Sequence, residues 1–260
     1  DLRPATPDDK MRAGSAIHAG RNVLHSGGAV EDAVRAARAL RGEGDGPRNA
    51  GHVERVVRTY AARYPREAEP FSVVCTEEYV EAPIRGPNCP DTSTWHIGST
   101  TGCTCFAFCG IIDAVVCFPD GAEYVMDTKT TGAYLNEQWA DCMALTDQFV
   151  GYVALRRALG HRCDGFYVDG IHISDYVAKR TGECAVDAEK DFVRFGPIRV
   201  PEWRVERWAR DMQYTLAQIA ELERTRGIDI PWPIYQNWPY GKVGPYKDFF
   251  MEPAELHSET

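Results

Sequence analysis

The 260-residue sequence lacks the features that mark several large protein classes. No apolar run approaches the roughly 18 residues of a membrane-spanning helix, so we expect no membrane partner. The sequence contains no P-loop, no dinucleotide-binding Gly-x-Gly-x-x-Gly and no Gly-x-Ser-x-Gly. These absences exclude P-loop ATPases, nicotinamide-dependent dehydrogenases and serine hydrolases of the α/β-hydrolase type.

Cysteine is present, but its pattern is not that of a disulfide framework. The nine cysteines are odd in number. Several lie in apolar runs such as CFAFCGIIDAVVCF, where a thiol behaves as a small buried hydrophobe. This usage is typical of a reducing compartment. We therefore expect a cytoplasmic protein.

Basic residues are scarce in the middle third of the chain. Residues 67–147 contain 13 acidic and 2 basic residues, whereas residues 1–66 contain 12 basic and 8 acidic residues. The acidic stretch has two interpretations, a solvated face or carboxylates gathered to hold a cation. The net charge of −9 argues against non-specific nucleic-acid binding. The basic N-terminal third could nevertheless supply a wall that contacts a nucleic acid.

The spacing of apolar residues predicts a mixed α/β protein in a single domain. Amphipathic helices are expected within about residues 10–66, and the middle third is rich in residues that favour strands. Pro119-Asp120-Gly121 separates two apolar runs and predicts a hairpin. The expected later elements are a long helix over residues 136–160, strands within 163–174 and 191–200, a helix over 201–227 and an aromatic tail at about 228–260.

Three charged residues of the predicted hairpin are candidates for catalysis. Asp127 and Lys129 share one strand face because side chains alternate along a strand. Asp113 lies in an apolar run of the preceding strand, where a charge needs a partner or a metal. Pairing about the turn would bring the two carboxylates together, and a cation between them would relieve their repulsion. Mg²⁺ with a neighbouring lysine is suited to phosphodiester hydrolysis. The alternative is a surface ion pair on an edge strand.

Two helical segments carry further candidates. Gln148 and Tyr152 are i,i+4 neighbours on one helix face, and the alternative is a polar edge of an amphipathic helix. His18 follows Gly14 at the edge of an apolar stripe. The alternative for His18 is a purely structural histidine.

In this order, the motifs Gly-x-x-x-His, Gly-x-x-Asp, Asp-x-Lys and Gln-x-x-x-Tyr resemble the RecB-like branch of the PD-(D/E)XK nuclease superfamily. That branch includes AddAB/RecB nuclease domains, CRISPR-associated exonucleases and phage homologues. The resemblance extends from about Gly14 to Phe250. It implies a restriction-endonuclease-like core, with a central mixed sheet flanked by helices, in one domain over residues 1–260.

The resemblance also implies an activity and its partners. We expect a deoxyribonuclease dependent on Mg²⁺ or Mn²⁺, and an exonuclease rather than an endonuclease. Its substrate would be linear single- or double-stranded DNA ends in recombination, repair or phage DNA processing. The expected setting is a bacterial or phage-infected cell, with a recombination protein as a further partner.

By this resemblance, the site residues have distinct roles. His18, Asp113 and Asp127 would bind the metal ion, together with the backbone carbonyl of Thr128. Asp113 and Asp127 would be catalytic through that ion, and Lys129 would be the catalytic lysine.

Other positions follow or depart from the same pattern. Gln148 and Tyr152 would orient the active site and the DNA strand, and Glu77 matches a recurrent glutamate to which we assign a minor role. Many relatives hold an iron–sulfur cluster with C-terminal cysteines, but Gly244 and Phe250 stand at two of those positions. An iron–sulfur cluster is therefore not expected.

Two other functions are compatible with the sequence. The first is a catalytically inactive nucleic-acid-binding protein on the same fold, although such proteins usually lose at least one site residue. The second is a cysteine-based metal or redox module within residues 89–109. Its candidate ligands, which buried core thiols would also explain, are Cys89, His96, Cys103, Cys105 and Cys109.

Overall fold

The strands lie side by side in the order in which they occur along the chain. The computed structural model describes residues 9–42, 46–84, 106–174, 176–177 and 184–226. The strands in these residues are β1 (Ser72–Ile84), β2 (Phe106–Cys117), β3 (Glu123–Thr131), β4 (Gly165–His172) and β5 (Phe192–Arg199). The helices are α1 (Asp9–His25), α2 (Val30–Arg38), α3 (Ala50–Arg63), α4 (Glu137–Ala144), α5 (Asp147–Ala158) and α6 (Glu202–Arg226).

The sheet is mixed. β1, β2 and β3 form an antiparallel meander, β4 is parallel to β3, and β5 is antiparallel to β4. A parallel pair needs a crossover connection, which α4 and α5 supply between β3 and β4. The expectation of a mixed α/β protein with a central mixed sheet is confirmed.

The hairpin predicted at the Pro-Asp-Gly turn is confirmed. The amide of Gly121 donates to the carbonyl of Phe118 at 2.8 Å, and that of Phe118 donates to the carbonyl of Ala122 at 2.9 Å. Gly121 has a φ of +76°, which glycine adopts without steric cost. Asp120 closes the turn by accepting a hydrogen bond from the Ala122 amide at 2.9 Å.

The single long helix predicted over residues 136–160 is wrong. The chain forms two helices, α4 and α5, and Thr146 between them has an extended backbone with φ −69° and ψ 124°. Its hydroxyl donates to the carbonyl of Cys142 at 3.0 Å and so satisfies a free group at the end of α4. Asp147 then begins α5 with a negative charge, which suits a helix N-terminus. Apolar spacing does not detect such a break because helix-forming residues lie on both sides of it.

Helices cover the sheet in two groups. α5 and α6 pack on apolar residues of all five strands, including Val125 and Phe166. The helices α1 to α3 pack together and against Ile171 and Phe192, at the far end of β4 and the start of β5. This arrangement leaves the carboxyl end of β3 next to α1. Within the described residues, no helix combines the length and apolarity needed to cross a membrane.

Candidate active site

The candidate site lies where β2 and β3 separate. Their ladder of paired residues runs from Cys117 and Glu123 to Ala114 and Met126 and then stops. Beyond that point β2 continues against β1, and β3 continues against β4. A short ladder between two longer ones opens a cleft within the sheet, and α1 lies beside it.

The two candidate aspartates occupy the first positions beyond the paired region. In the register of the ladder, Asp113 and Asp127 directly follow the pair Ala114 and Met126 and stand opposite each other. β3 is the third strand of five. The alternative interpretation placed an ion pair of Asp127 and Lys129 on an edge strand. It is wrong in this respect, because β3 has a neighbouring strand on each side.

Asp113 is surrounded by hydrogen-bond donors and positive charge. The Thr128 amide donates to its Oδ2 at 2.8 Å, and the same oxygen lies 3.3 Å from His18 Nδ1 and 3.6 Å from Arg21 Nη1. Burial of the carboxyl opposes its ionisation, but His18, Arg21 and the amide outweigh burial and lower the pKa of Asp113. Asp113 is therefore held as a carboxylate.

The pKa of Asp127 is shifted in the opposite direction to that of Asp113. Only 4% of the residue is exposed. Its Oδ2 lies 2.6 Å from Lys129 Nζ and forms an ion pair with it. Burial raises the pKa of Asp127, Lys129 opposes the rise, and the charge of Asp113 adds to it. The two acids thus differ in proton affinity.

Lys129 is also bound to the helix pair expected from the sequence. Its Nζ donates to Gln148 Oε1 at 3.0 Å, and Gln148 Nε2 donates to the Tyr152 hydroxyl at 3.0 Å. The Phe149 ring centre lies 5.4 Å from Nζ. Two protein partners and an aromatic ring therefore restrict the position of the ammonium group.

The glycines of two motifs are required by close packing. A Cβ at Gly14 would lie 2.7 Å from Thr130 Oγ1, and one at Gly110 would lie 2.6 Å from Tyr152 Cε1. These contacts are closer than carbon side chains tolerate. Gly14 therefore lets α1 approach the end of β3, and Gly110 lets Tyr152 lie on β2.

Glu77 is a more central residue of the candidate site than the minor role assigned to it from the sequence suggests. The pairs Thr76–Ala114 and Glu78–Ile112 place Glu77 opposite Asp113. Glu77 has a φ of +50°, an uncommon conformation for a residue with a side chain.

The side chain of Glu77 faces the same opening as the other candidates. It lines a cleft of about 620 Å³ together with His18, Asp113 and Thr130. Burial raises the pKa of Glu77, and the charge of Asp113 adds to the rise. Glu77, Asp113 and Asp127 thus form a row of acids across three strands. The positive φ, which no sequence pattern indicates, is part of this arrangement.

Arg21 and Asp169 are the main residues that sequence reasoning missed. Arg21 Nε donates to Asp169 Oδ2 at 2.9 Å, while its Nη1 faces Asp113. The sequence places Arg21 only on the apolar stripe of a helix. A signal for Asp169 existed, because it is an acid within the apolar run FYVDGIHI, as Asp113 is within its own run.

The donor set fits a hard divalent cation in its chemistry. Carboxylate oxygens are the ligands that Mg²⁺ and Mn²⁺ prefer, and Asp113 and Asp127 bring two carboxylates together where β2 and β3 separate. In the part of the chain that the structure describes, no three histidine, cysteine, aspartate or glutamate side chains form a ready-made metal cluster. The cations Arg21 and Lys129 balance the acids instead.

Part of the positive charge of the N-terminal third, which the sequence suggested as a wall for a nucleic acid, does not face the solvent or is paired. Arg21, Arg41 and Arg48 are buried, and buried side chains do not face a nucleic acid. Arg38 pairs with Glu54 at 2.6 Å, and Arg58 pairs with both Glu31 and Glu54. Much of this positive charge is therefore used within the protein.

Two regions of the sequence predictions lie outside the described residues. They are the aromatic tail over residues 228–260 and most of the cysteine group, of which only Cys109 is described and exposed. No protein-family model matches the chain, and no curated protein is significantly similar to it.

Proposed function

We propose that this protein is a divalent-metal-dependent DNA nuclease of the RecB-like PD-(D/E)XK type, on a restriction-endonuclease-like core. The observation that carries the proposal is the meeting of Asp113, Asp127 and Lys129 where two central strands separate. Two opposed carboxylates with a fixed ammonium group beside them suit phosphodiester hydrolysis. Of the two modes of cleavage, we favour an exonuclease that acts on linear DNA ends.

Each residue has a definite task in this proposal. Asp113, already ionised, and Asp127 would hold Mg²⁺ or Mn²⁺ with the Thr128 carbonyl, and His18 would complete the set. The bound ion would lower the pKa of a water molecule and neutralise phosphate charge. Lys129, held by Gln148, would donate to a phosphate oxygen as negative charge develops there.

The substrate would reach the site beside α1. Lys10 and Arg12 are exposed in its first turn, and Ser15 and His18 from the next turns line the cleft. Phosphates approaching along this helix would meet positive charge before they meet the acids. A recombination protein in a bacterial or phage-infected cytoplasm is the partner we propose for such an enzyme.

A cleavage assay on DNA tests this function. End-labelled linear DNA and closed-circular DNA are incubated with Mg²⁺, Mn²⁺ or EDTA, using the wild type, Lys129→Ala and Asp127→Asn. Lys190→Ala is the matched control because its side chain is 84% exposed and pairs only with Asp187, at 3.6 Å, in its described contacts. We expect metal-dependent loss of the linear substrate by the wild type and the control, and none by the two site variants.

Other outcomes would contradict parts of the proposal. Cleavage of the circle would make the protein an endonuclease with the same chemistry. Full activity in Lys129→Ala and Asp127→Asn would refute the assigned site. DNA binding without cleavage in either metal would favour the inactive nucleic-acid-binding alternative.

A further inference from the structure

Arg21 connects the site aspartate Asp113 to a second aspartate in the core. The arginine is 3% exposed and Asp169 is fully buried. Arg21 Nε donates to Asp169 Oδ2 at 2.9 Å, and Arg21 Nη1 lies 3.6 Å from Asp113 Oδ2. One guanidinium thus joins α1, β2 and β4 through two carboxylates.

Asp169 is itself held from other sides. The Tyr60 hydroxyl donates to the same Oδ2, and Arg194 Nε donates to Oδ1 at 3.3 Å. Arg194 in turn pairs with Glu69. Arg21 and Tyr60 bind the same oxygen, Oδ2, whereas Arg194 binds the other, so Oδ2 is the atom of Asp169 that anchors Arg21 Nε.

The contacts to Asp113 all converge on one of its two oxygens. The Thr128 amide, His18 and Arg21 all approach Oδ2. Among the described residues, no donor is bonded to Oδ1. A carboxylate anchored by one oxygen presents the other in a defined direction.

We propose that Arg21 is a positioning residue that, anchored by Asp169, holds Asp113 by Oδ2 so that Oδ1 is presented to the divalent cation. This inference rests on the proposed function, because it concerns how the same site binds its metal ion. Groups that orient metal ligands typically contribute about 10- to 100-fold to metal affinity or activity. Arg21 would act through Asp113 and would not touch the substrate.

Arg194 provides a matched control for Arg21. Both arginines are buried partners of Asp169, so replacing either one breaks a buried ion pair and lowers the melting temperature. Among the described residues, Arg194 forms ion pairs with Asp169 and Glu69 and not with Asp113. If Arg21 has a purely structural role, replacing Arg21 or Arg194 should change the Mn²⁺ affinity by a similar factor. If Arg21 positions Asp113, the affinity should fall mainly when Arg21 is replaced.

The test measures Mn²⁺ binding by calorimetry, below the melting transitions of all variants. We expect Arg21→Met to weaken Mn²⁺ binding by about 10- to 100-fold and Arg194→Met by less than about 3-fold. Arg21→Lys retains the charge but cannot contact both carboxylates with a planar fork, so we expect it to bind weakly as well. Asp169→Asn, which keeps the shape of the anchor, should reduce affinity similarly if Arg21→Met does not fold.

The outcomes separate this inference from the function on which it rests. Wild-type affinity in Arg21→Met or Arg21→Lys would overturn the positioning role, as would equal losses in Arg21→Met and Arg194→Met. If Arg21→Met does not fold, wild-type affinity in Asp169→Asn would do the same. A wild-type protein that binds no Mn²⁺ would overturn the proposed function, and this inference with it.

Discussion

The backbone amide of Thr128 donates a hydrogen bond to Oδ2 of Asp113 at 2.8 Å. This bond joins β2 and β3 immediately beyond the last paired residues of their ladder, Ala114 and Met126. A side-chain acceptor therefore continues the connection where the backbone pairing ends. The strand that carries Asp127 and Lys129 is thereby tied to the carboxylate of Asp113, which limits the relative motion of the site residues.

The contact between Gly14 and Thr130 predicts a compensating pair of substitutions. Gly14→Ala places a Cβ 2.7 Å from Thr130 Oγ1, and such overpacking should lower the free energy of unfolding by about 1–3 kcal/mol. Thr130→Ala in the same chain removes that oxygen, and the next atom lies 3.8 Å away. We expect the double variant to recover most of the lost stability in urea unfolding. Equal stability of Gly14→Ala and wild type would show that α1 can move away without cost.

The Lys129–Gln148 hydrogen bond predicts a graded effect on catalysis. Gln148→Ala removes the acceptor 3.0 Å from Nζ, so the ammonium becomes mobile, and we expect kcat to fall about 10-fold or more. Tyr152→Phe removes only the hydroxyl bound by Gln148 and keeps the ring over Gly110, so its effect should be smaller. Steady-state cleavage kinetics measure both. Unchanged kcat in Gln148→Ala would mean that Lys129 does not need this partner.

The buried side chain of His52, which lies outside the candidate active site, leads us to expect that protein stability depends on pH. It is 1% exposed, and neither ring nitrogen has a hydrogen-bond partner among the described residues. Burial, with Arg55 and Arg48 nearby, lowers the pKa of His52 to about 4. The folded pKa lies below the unfolded value of about 6.5. The contribution of His52 to stability is therefore complete above pH 6.5 and is lost as the pH falls towards 4.

Replacing this histidine tests the expected slope. The stability lost through His52 should be about 1.4 kcal/mol per pH unit between pH 6.5 and 4. His52→Leu should abolish this pH-dependent contribution to the free energy of unfolding. At neutral pH the same variant should be more stable by about 1 kcal/mol, because two buried nitrogens without hydrogen-bond partners are removed. Urea unfolding at several pH values compares the two proteins. An identical slope in both would show that His52 is not the group responsible.

Several predictions from sequence depend only on near neighbours along the chain. Alternation along β3 places Asp127 and Lys129 together, and the turn at Gly121 brings β2 back beside β3. The opposition of Asp113 and Asp127 follows from these two local facts. The i,i+4 relation of Gln148 and Tyr152 follows equally from helix geometry, and both residues are hydrogen-bonded as this spacing allows.

Local pattern was not sufficient where a contact joins distant parts of the chain. The break at Thr146 depends on a hydroxyl that competes for a helix carbonyl, which periodicity does not register. Glu77 gains its place from a backbone conformation with positive φ. The arginines counted as a basic surface are in part buried in ion pairs, because charge composition does not reveal burial.

The amino-acid sequence by itself determined the hairpin, the spacing of the candidate site residues and the helices apart from the break at Thr146, because steric preferences and apolar periodicity act over a few residues. Tertiary structure alone decided that β3 is central, that β2 and β3 separate beside α1, and that Arg21 lies between Asp113 and Asp169. Arg21 and Asp169 are 148 residues apart. Such a pairing depends on which strands adjoin and on the low polarity of the core, where an arginine is retained only if carboxylates meet it.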